Sequence, residues 1–274
     1  MSLMSKPVMV DPSNLPVRKL SKADVPRAVN CLAAAFAQDD VARYFTHTVH
    51  DAADWTEAQR WKLHVAVMKY IIKAHLMRGL VMGIGSTQPI TGPASGKRMF
   101  KPVDPLNPSS EESFDAVALW MPPGANMDDI CTILRSGLWR LNYQFTREGR
   151  KRFFNEFFPL LHETKLNVFG TPEADAKSWY LVYLGARPGA RGKGLAGRLV
   201  RYVTEGICDQ ERRDCYLESS SKNNLKLYGR LGFEMIRTIA LTRNRQGGGI
   251  EMDIMVRKPK DLESVSEREA SVES

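Results

Sequence analysis

The sequence predicts a mixed α/β fold, an α+β mixed sheet with helices on both faces, and three observations carry the prediction. Helix-period and strand-like apolar segments alternate along the chain, and a glycine- and arginine-rich turn joins a strand to a helix near residue 190. The composition is that of a globular protein: 274 residues, 43% hydrophobic and 26% charged. That length suits one large domain or two small ones. No apolar run approaches the roughly 18 residues needed to cross a bilayer, and Met1 to Pro7 lacks the apolar segment of a secretory signal. The expectation is a cytoplasmic protein without a membrane partner. Cys31, Cys131, Cys208 and Cys215 show no CxxC or metal-type spacing and read as reduced core thiols.

The elements follow in order. Val17–Leu20 reads as a short strand, and Ser21 with Asp24 as a capping box opening a helix through Ala37, with Val25, Val29, Leu32 and Phe36 on one face. A second amphipathic helix spans Thr56 to Arg78. Leu80–Ile84 and Ala116–Met121 read as buried strands, the second stopped by Pro122-Pro123-Gly124. Between them, five prolines make Gly85 to Asp115 a long surface loop. Asn126 to Leu161 is helical again, expected as two helices. Trp179–Leu184 is a strand, Leu195–Ile207 a helix and Cys215–Glu218 a strand. A helix through Leu231 stops at Gly232, expected to be left-handed, before strands at Phe233–Thr242 and Ile250–Val256. The expected organisation is an extension over 1–14, a single domain over 15–260 carrying the 85–115 loop and a 126–161 helical insertion, and a disordered acidic tail over 261–274.

The net charge is +8, although the last 14 residues hold five acids against one base. The remainder is therefore strongly basic and favours anionic partners. Its basic residues gather around Arg187-Pro188-Gly189-Ala190-Arg191-Gly192-Lys193-Gly194-Leu195-Ala196-Gly197. Glycines let a backbone turn sharply and expose its N–H groups, and the N-terminus of the next helix adds partial positive charge, so the natural guest is a phosphate. Gly192-x-Gly194-x-x-Gly197 also matches the dinucleotide fingerprint, with Glu218 about 20 residues on as a ribose-binding acid. The fingerprint's strand should run almost directly into its first glycine, whereas here Pro188 and several other residues intervene.

Arg191-Gly192-Lys193-Gly194-Leu195-Ala196 resembles the acetyl-CoA signature of the GCN5-related N-acetyltransferases, Arg/Gln-x-x-Gly-x-Gly/Ala. The block from Leu217 to Phe233, ending Tyr228-Gly229-Arg230-Leu231-Gly232-Phe233, is similar to that family's downstream motif. Within the family, Asp24–Val29, Leu32–Ala37, Leu217–Phe233 and Met255–Pro259 are most similar to the puromycin N-acetyltransferases, although this chain is longer. The resemblance implies an acyl-CoA N-acyltransferase fold whose fourth and fifth strands, Tyr180–Ala186 and Cys215–Glu218, splay apart to admit a pantetheine arm. It implies direct transfer of acetyl from acetyl-CoA to a primary amine, expected to be that of a small molecule.

On that resemblance, Leu184, Gly185 and Ala186 pair with pantetheine amides, and Arg191, Gly192, Lys193, Gly194, Leu195, Ala196 and Gly197 hold the pyrophosphate. Asn224 holds the cofactor arm, Tyr228 protonates the departing thiolate and Glu218 serves as general base. Alternatives stand beside these roles: Asn223 or Asn224 as a helix N-cap, Tyr228 as a packed ring, Glu218 as a strand-end carboxylate paired with an arginine. Phe36, Asp39, Asp40 and Tyr44 are the expected acceptor-side residues, with the 243–249 loop, the two aspartates favouring a cation unless they are solvated surface. His47 and His50 have metal-compatible spacing but no supporting motif, so no metal is expected. No GxSxG or nucleic-acid motif is present, and no nucleic-acid partner is expected. The chain is expected to be a monomer or homodimer. The rival functions are an acetyl-CoA sensor without catalysis and an acetyltransferase acting on a protein amine.

Overall fold

The computed structural model describes residues 15–48, 53–85, 106–109, 111–241 and 249–260. The terminal extension, most of the proline-rich loop, His50, the tip of the 243–249 loop and the acidic tail lie outside the described residues. Seven strands form one sheet in the order β1-β2-β3-β4-β5-β7-β6: β1 Arg18–Lys19, β2 Leu80–Ile84, β3 Ala116–Met121, β4 Trp179–Ala186, β5 Cys215–Ser219, β6 Glu234–Ala240 and β7 Glu251–Arg257. Only β4 and β5 pair in parallel; every other neighbour is antiparallel. This is not the doubly wound parallel sheet of a dinucleotide-binding domain, so the fingerprint reading falls.

Both faces of the sheet are covered, which is why β3 is apolar at every position rather than alternating. Val117 and Leu119 point into one core with α1 (Val25–Ala35) and α3 (Glu57–Arg78), while Ala116, Ala118 and Trp120 point into a second core with α9 (Leu195–Val203). Asp24 accepts the Ser21 N–H at 2.8 Å, as the capping box requires. The first helix ends at Ala35 rather than Ala37, because the chain turns into a short helix α2, Asp40–Thr46. Of the cysteines, Cys31, Cys208 and Cys215 are buried thiols, but Cys131 is exposed, contrary to the expectation of four core thiols.

The 126–161 stretch is more broken than two helices. Its first helix, α4 (Ile130–Ser136), stops at Gly137, which is left-handed at φ 92° and abuts Tyr70. Short helices α5 (Leu141–Gln144) and α6 (Arg147–Arg150) follow. Then Lys151–Phe157 winds as a π helix into α7 (Phe158–Phe169), before the single turn α8 (Pro172–Asp175). Pro159 explains the π winding: it has no N–H to donate to an α-helical partner, and widening the turn relieves its ring from the preceding carbonyl. The last helix, α10 (Leu225–Arg230), leads to Gly232 at φ 85°, as expected.

Arg257, 1% exposed, clamps β7 to the end of the α9 segment through two 2.7 Å bonds to Asp209, with a third at 3.1 Å to the Leu231 carbonyl. Asp209→Ala would leave that guanidinium buried and unpaired. The expected cost is about 3–5 kcal/mol by denaturant unfolding, with replacement of both partners by apolar residues costing less.

Candidate active site

β4 and β5 are hydrogen-bonded only over Trp179–Leu181 and Cys215–Leu217. Beyond that point β4 continues to Ala186 against β3, and β5 continues to Ser219 against β7, with no pairing between them. The expected splay is therefore present, and it leaves the backbone of Val182 to Ala186 without a strand partner on one edge. Such groups demand a hydrogen-bonding partner. Gly185 sets the position of β4: a Cβ there would lie 2.8 Å from the Ala35 Cβ, so only glycine lets α1 pack this closely.

The following turn offers a second set of free donors. Arg187 is held by Asp115 at 2.6 Å, and Arg191 donates to the Ala35 carbonyl at 3.0 Å, fixing both ends of the loop. Gly192 and Gly194 are left-handed, at φ 77° and 72°, and nothing lies within 4 Å of where a side chain would project. Gly194 is the N-cap of α9, Lys193 is exposed, and Leu195 and Gly197 are buried, so the core fixes the helix while the N–H groups of its first turn face outward. This open, basic helix start fits a diphosphate, and the unpaired β4 edge fits an amide-bearing arm.

A cavity of about 360 Å³ opens at the splay and brings Leu184, Glu218, Asn224 and Tyr228 together with Phe36 and Asp39. Glu218 is half-buried. Its Oε1 is shut off from solvent with no hydrogen-bond partner, and it forms no arginine pair among the described residues. Burial pushes its carboxyl up to about 7, while the hydroxyls of Tyr180 and Tyr216 and the charge of Lys165 pull it back. The Tyr228 ring is buried against Phe233 at 5.9 Å, and burial raises its hydroxyl above the usual range, so it stays a proton donor at neutral pH. Asn224 occupies the backbone N-cap position of α10, but its side chain makes no capping bond and is free for a ligand.

The acceptor-side expectations divide. Phe36 lines the cavity and packs edge-on to Tyr183 at 5.2 Å. Asp39 also lines it, but both its oxygens are committed: one accepts the Ala42 N–H at 2.9 Å, capping α2, and the other accepts the Ser220 hydroxyl. Asp40 is exposed on α2, away from the cavity lining. Tyr44 is buried outside that lining, donating to Glu156 under the Arg152 guanidinium.

Residues not expected from the sequence make up the far wall: Phe153 and Phe157 from the π segment, Phe158, Leu161 and Lys165 from α7, and Asp175. Lys165 pairs with Asp175 and lies 5.5 Å from the Phe169 ring and 5.9 Å from those of Tyr180 and Tyr216. The available signal was the density of aromatics at 153–158. That density marks an apolar helix face, and the sequence alone does not say that the face borders a cavity. Among the described residues no cluster of metal-ligating groups occurs, and no helix is long and apolar enough to cross a membrane.

Comparison with known proteins matches both this half of the molecule and nearly the whole chain. A family described as FR47-like protein matches residues 175–241, from the end of α8 through β6. An uncharacterized N-acetyltransferase of Schizosaccharomyces pombe is 39% identical over 253 residues, covering 92% of this chain and 87% of that protein. Among solved structures, an acetyltransferase from Corynebacterium glutamicum, described as histone acetyltransferase HPA2 and related acetyltransferase, is 21% identical with a TM-score of 0.50, covering 90% of this chain and 97% of its own. Arylalkylamine N-acetyltransferase 2 from Aedes aegypti is 16% identical with a TM-score of 0.52, covering 90% and 100%. These two share the fold.

The buried Glu218 carboxyl carries a pH signature in stability. Its folded value of about 7 lies above the ordinary 4.5, so the folded state holds its proton more tightly and loses stability as pH rises between the two. Glu218→Gln removes this loss. Its melting temperature is expected to exceed wild type by about 2–5 °C at pH 8 and to match it below pH 4.5, read by thermal denaturation.

Proposed function

Because the chain belongs to the GNAT-type N-acetyltransferases, a family that uses acetyl-CoA as co-substrate, we propose that it acetylates the primary amine of a small molecule in the β4–β5 cavity. The observation that carries this reading is the unpaired edge of Val182 to Ala186 opening on the same cavity as Glu218 and Tyr228. Acetyl-CoA supplies an activated thioester. The β4 edge would hold its pantetheine amides, the N–H groups of Gly192 to Gly197 its diphosphate, and Asn224 its arm. An alkylamine with a pKa of about 10.4 is roughly 0.04% neutral at pH 7, a cost of about 4.6 kcal/mol before attack. Glu218 is suited to take that proton, since a base with a pKa near the working pH is both available and strong enough. Tyr228, kept neutral by burial, is suited to return a proton to the departing sulfur.

A sensor has no use for a base and an acid in one cavity, which favours catalysis over the sensor reading. A cavity of about 360 Å³ with a phenylalanine-rich wall favours a small acceptor over a protein chain. Within the family we place the chain nearest the puromycin N-acetyltransferases on the sequence segments given above. That placement does not bring its acceptor along, because the far wall comes from the inserted helices. We further place the enzyme in the cytoplasm, as a monomer or homodimer.

Acetyl-CoA is expected to bind with micromolar affinity by calorimetry, and NADH not to bind. Gly194→Val should abolish binding, since it combines a left-handed φ with a side chain over the phosphate site. Tight NADH binding with no response to acetyl-CoA would overturn the reading. In a thiol-release assay, Tyr228→Phe should lower kcat roughly 10- to 1,000-fold with acetyl-CoA affinity nearly unchanged. Glu218→Gln should hurt most near pH 7 and progressively less toward the amine's own pKa. A wild-type pH profile in that variant would remove Glu218 from the mechanism.

A further inference from the structure

We infer that the acceptor is a monoamine with a flat, apolar body, seated among the phenylalanines of the far wall with its single ammonium turned toward Glu218. The inference rests on the N-acetyltransferase reading and extends it to the class of substrate. Phe36, Phe158 and Leu161 line the cavity with partly exposed side chains, and the lining also includes Phe45, Phe153 and Phe157, which are buried in the adjoining core. Their rings already meet edge to face, Phe45 with Phe153 at 4.9 Å and Phe153 with Phe158 at 4.8 Å, the geometry in which a further ring packs favourably. The cavity's roughly 360 Å³ must also take the thioester end, which leaves space for a body of one or two rings.

Charge sets the count of ammonium groups. Of the carboxylates at the cavity, Asp39 is committed to Ala42 and Ser220, and Asp175 to Lys165. Asp128 is exposed at the rim. Glu218 alone is enclosed with an unpartnered oxygen. A second ammonium on the acceptor would find no free carboxylate beside the rings and would meet the fixed charge of Lys165. Hydroxyl-rich amines would leave their polar groups unpaired against phenylalanine.

The test compares 2-phenylethylamine and benzylamine with 1,5-diaminopentane and glucosamine in thiol release, alongside equilibrium dialysis of 2-phenylethylamine against the CoA-loaded protein. The two apolar monoamines are expected to exceed the other two by at least about 10-fold in kcat/KM, and 2-phenylethylamine to be retained in dialysis. Phe158→Ser should raise KM for 2-phenylethylamine roughly 10-fold while leaving KM for acetyl-CoA unchanged, and Phe158→Leu should restore most of it. Equal or better turnover of 1,5-diaminopentane or glucosamine overturns the acceptor class and leaves the transferase intact. So does failure to retain 2-phenylethylamine. Absence of both acetyl-CoA binding and thiol release with every amine overturns the transferase reading and this inference with it.

Discussion

Between Val182 and Ala186, strand β4 carries a row of hydrogen-bonding groups that no neighbouring strand takes up. A sheet normally closes such a gap, because pairing the two strands would satisfy those groups at once. Here each strand is held from its other side: β4 by β3 out to Ala186 and by α1 packed onto Gly185, β5 by β7 out to Ser219. The gap is thus a consequence of packing elsewhere. The cavity, the placement of Glu218 just past the last residue of β5 paired to β4, and the opening toward the glycine turn all follow from it.

Glu218 shows what that placement costs and why it is kept. A carboxyl enclosed without a partner for Oε1 destabilises the fold when charged, and a surface carboxylate in its place would be free of the penalty. Such a surface group would also be a weak base, nearly fully ionised and reluctant to take a proton at pH 7. The same enclosure that costs stability brings its affinity for a proton to the useful range. Lys165, itself held by Asp175 and three aromatic rings, keeps that affinity from rising further.

The glycine turn and the strand–helix unit after it were legible in the sequence because their determinants are local. Gly192 and Gly194 had to be left-handed, and β4 and the α9 helix flank them within a few residues. Glu218, Asn224 and Tyr228 fall within one strand–helix unit, so their convergence follows from short-range spacing. The acceptor half was not legible, for two physical reasons. Asp39 has the composition of a solvated acid and is in fact a helix cap with both oxygens bonded, a distinction made by Ser220, far along the chain. Phe153, Phe157 and Leu161 recur at the helical i, i+4 spacing, which marks an apolar face without saying whether that face packs a core or lines a cavity.

The glycine turn shows the converse, a local signal that needs the sheet to interpret it. Gly192-x-Gly194-x-x-Gly197 is the dinucleotide string, and its conformation does what that string requires: left-handed glycines, an open N-terminus on α9, basic side chains nearby. Physics at the level of the turn cannot tell one diphosphate from another. The distinction comes from β4's neighbours. In a doubly wound sheet the strand before the turn is flanked on both sides by parallel partners and the ligand lies across their ends. Here β3 is antiparallel to β4 and β5 parts from it after Leu181, so the groove beside the turn runs along the strand's own open edge. A ligand that continues from its diphosphate as an extended, amide-bearing arm can follow that edge into the cavity, and a second nucleoside offers nothing for the edge to hold. Glu218 lines the cavity into which that edge opens.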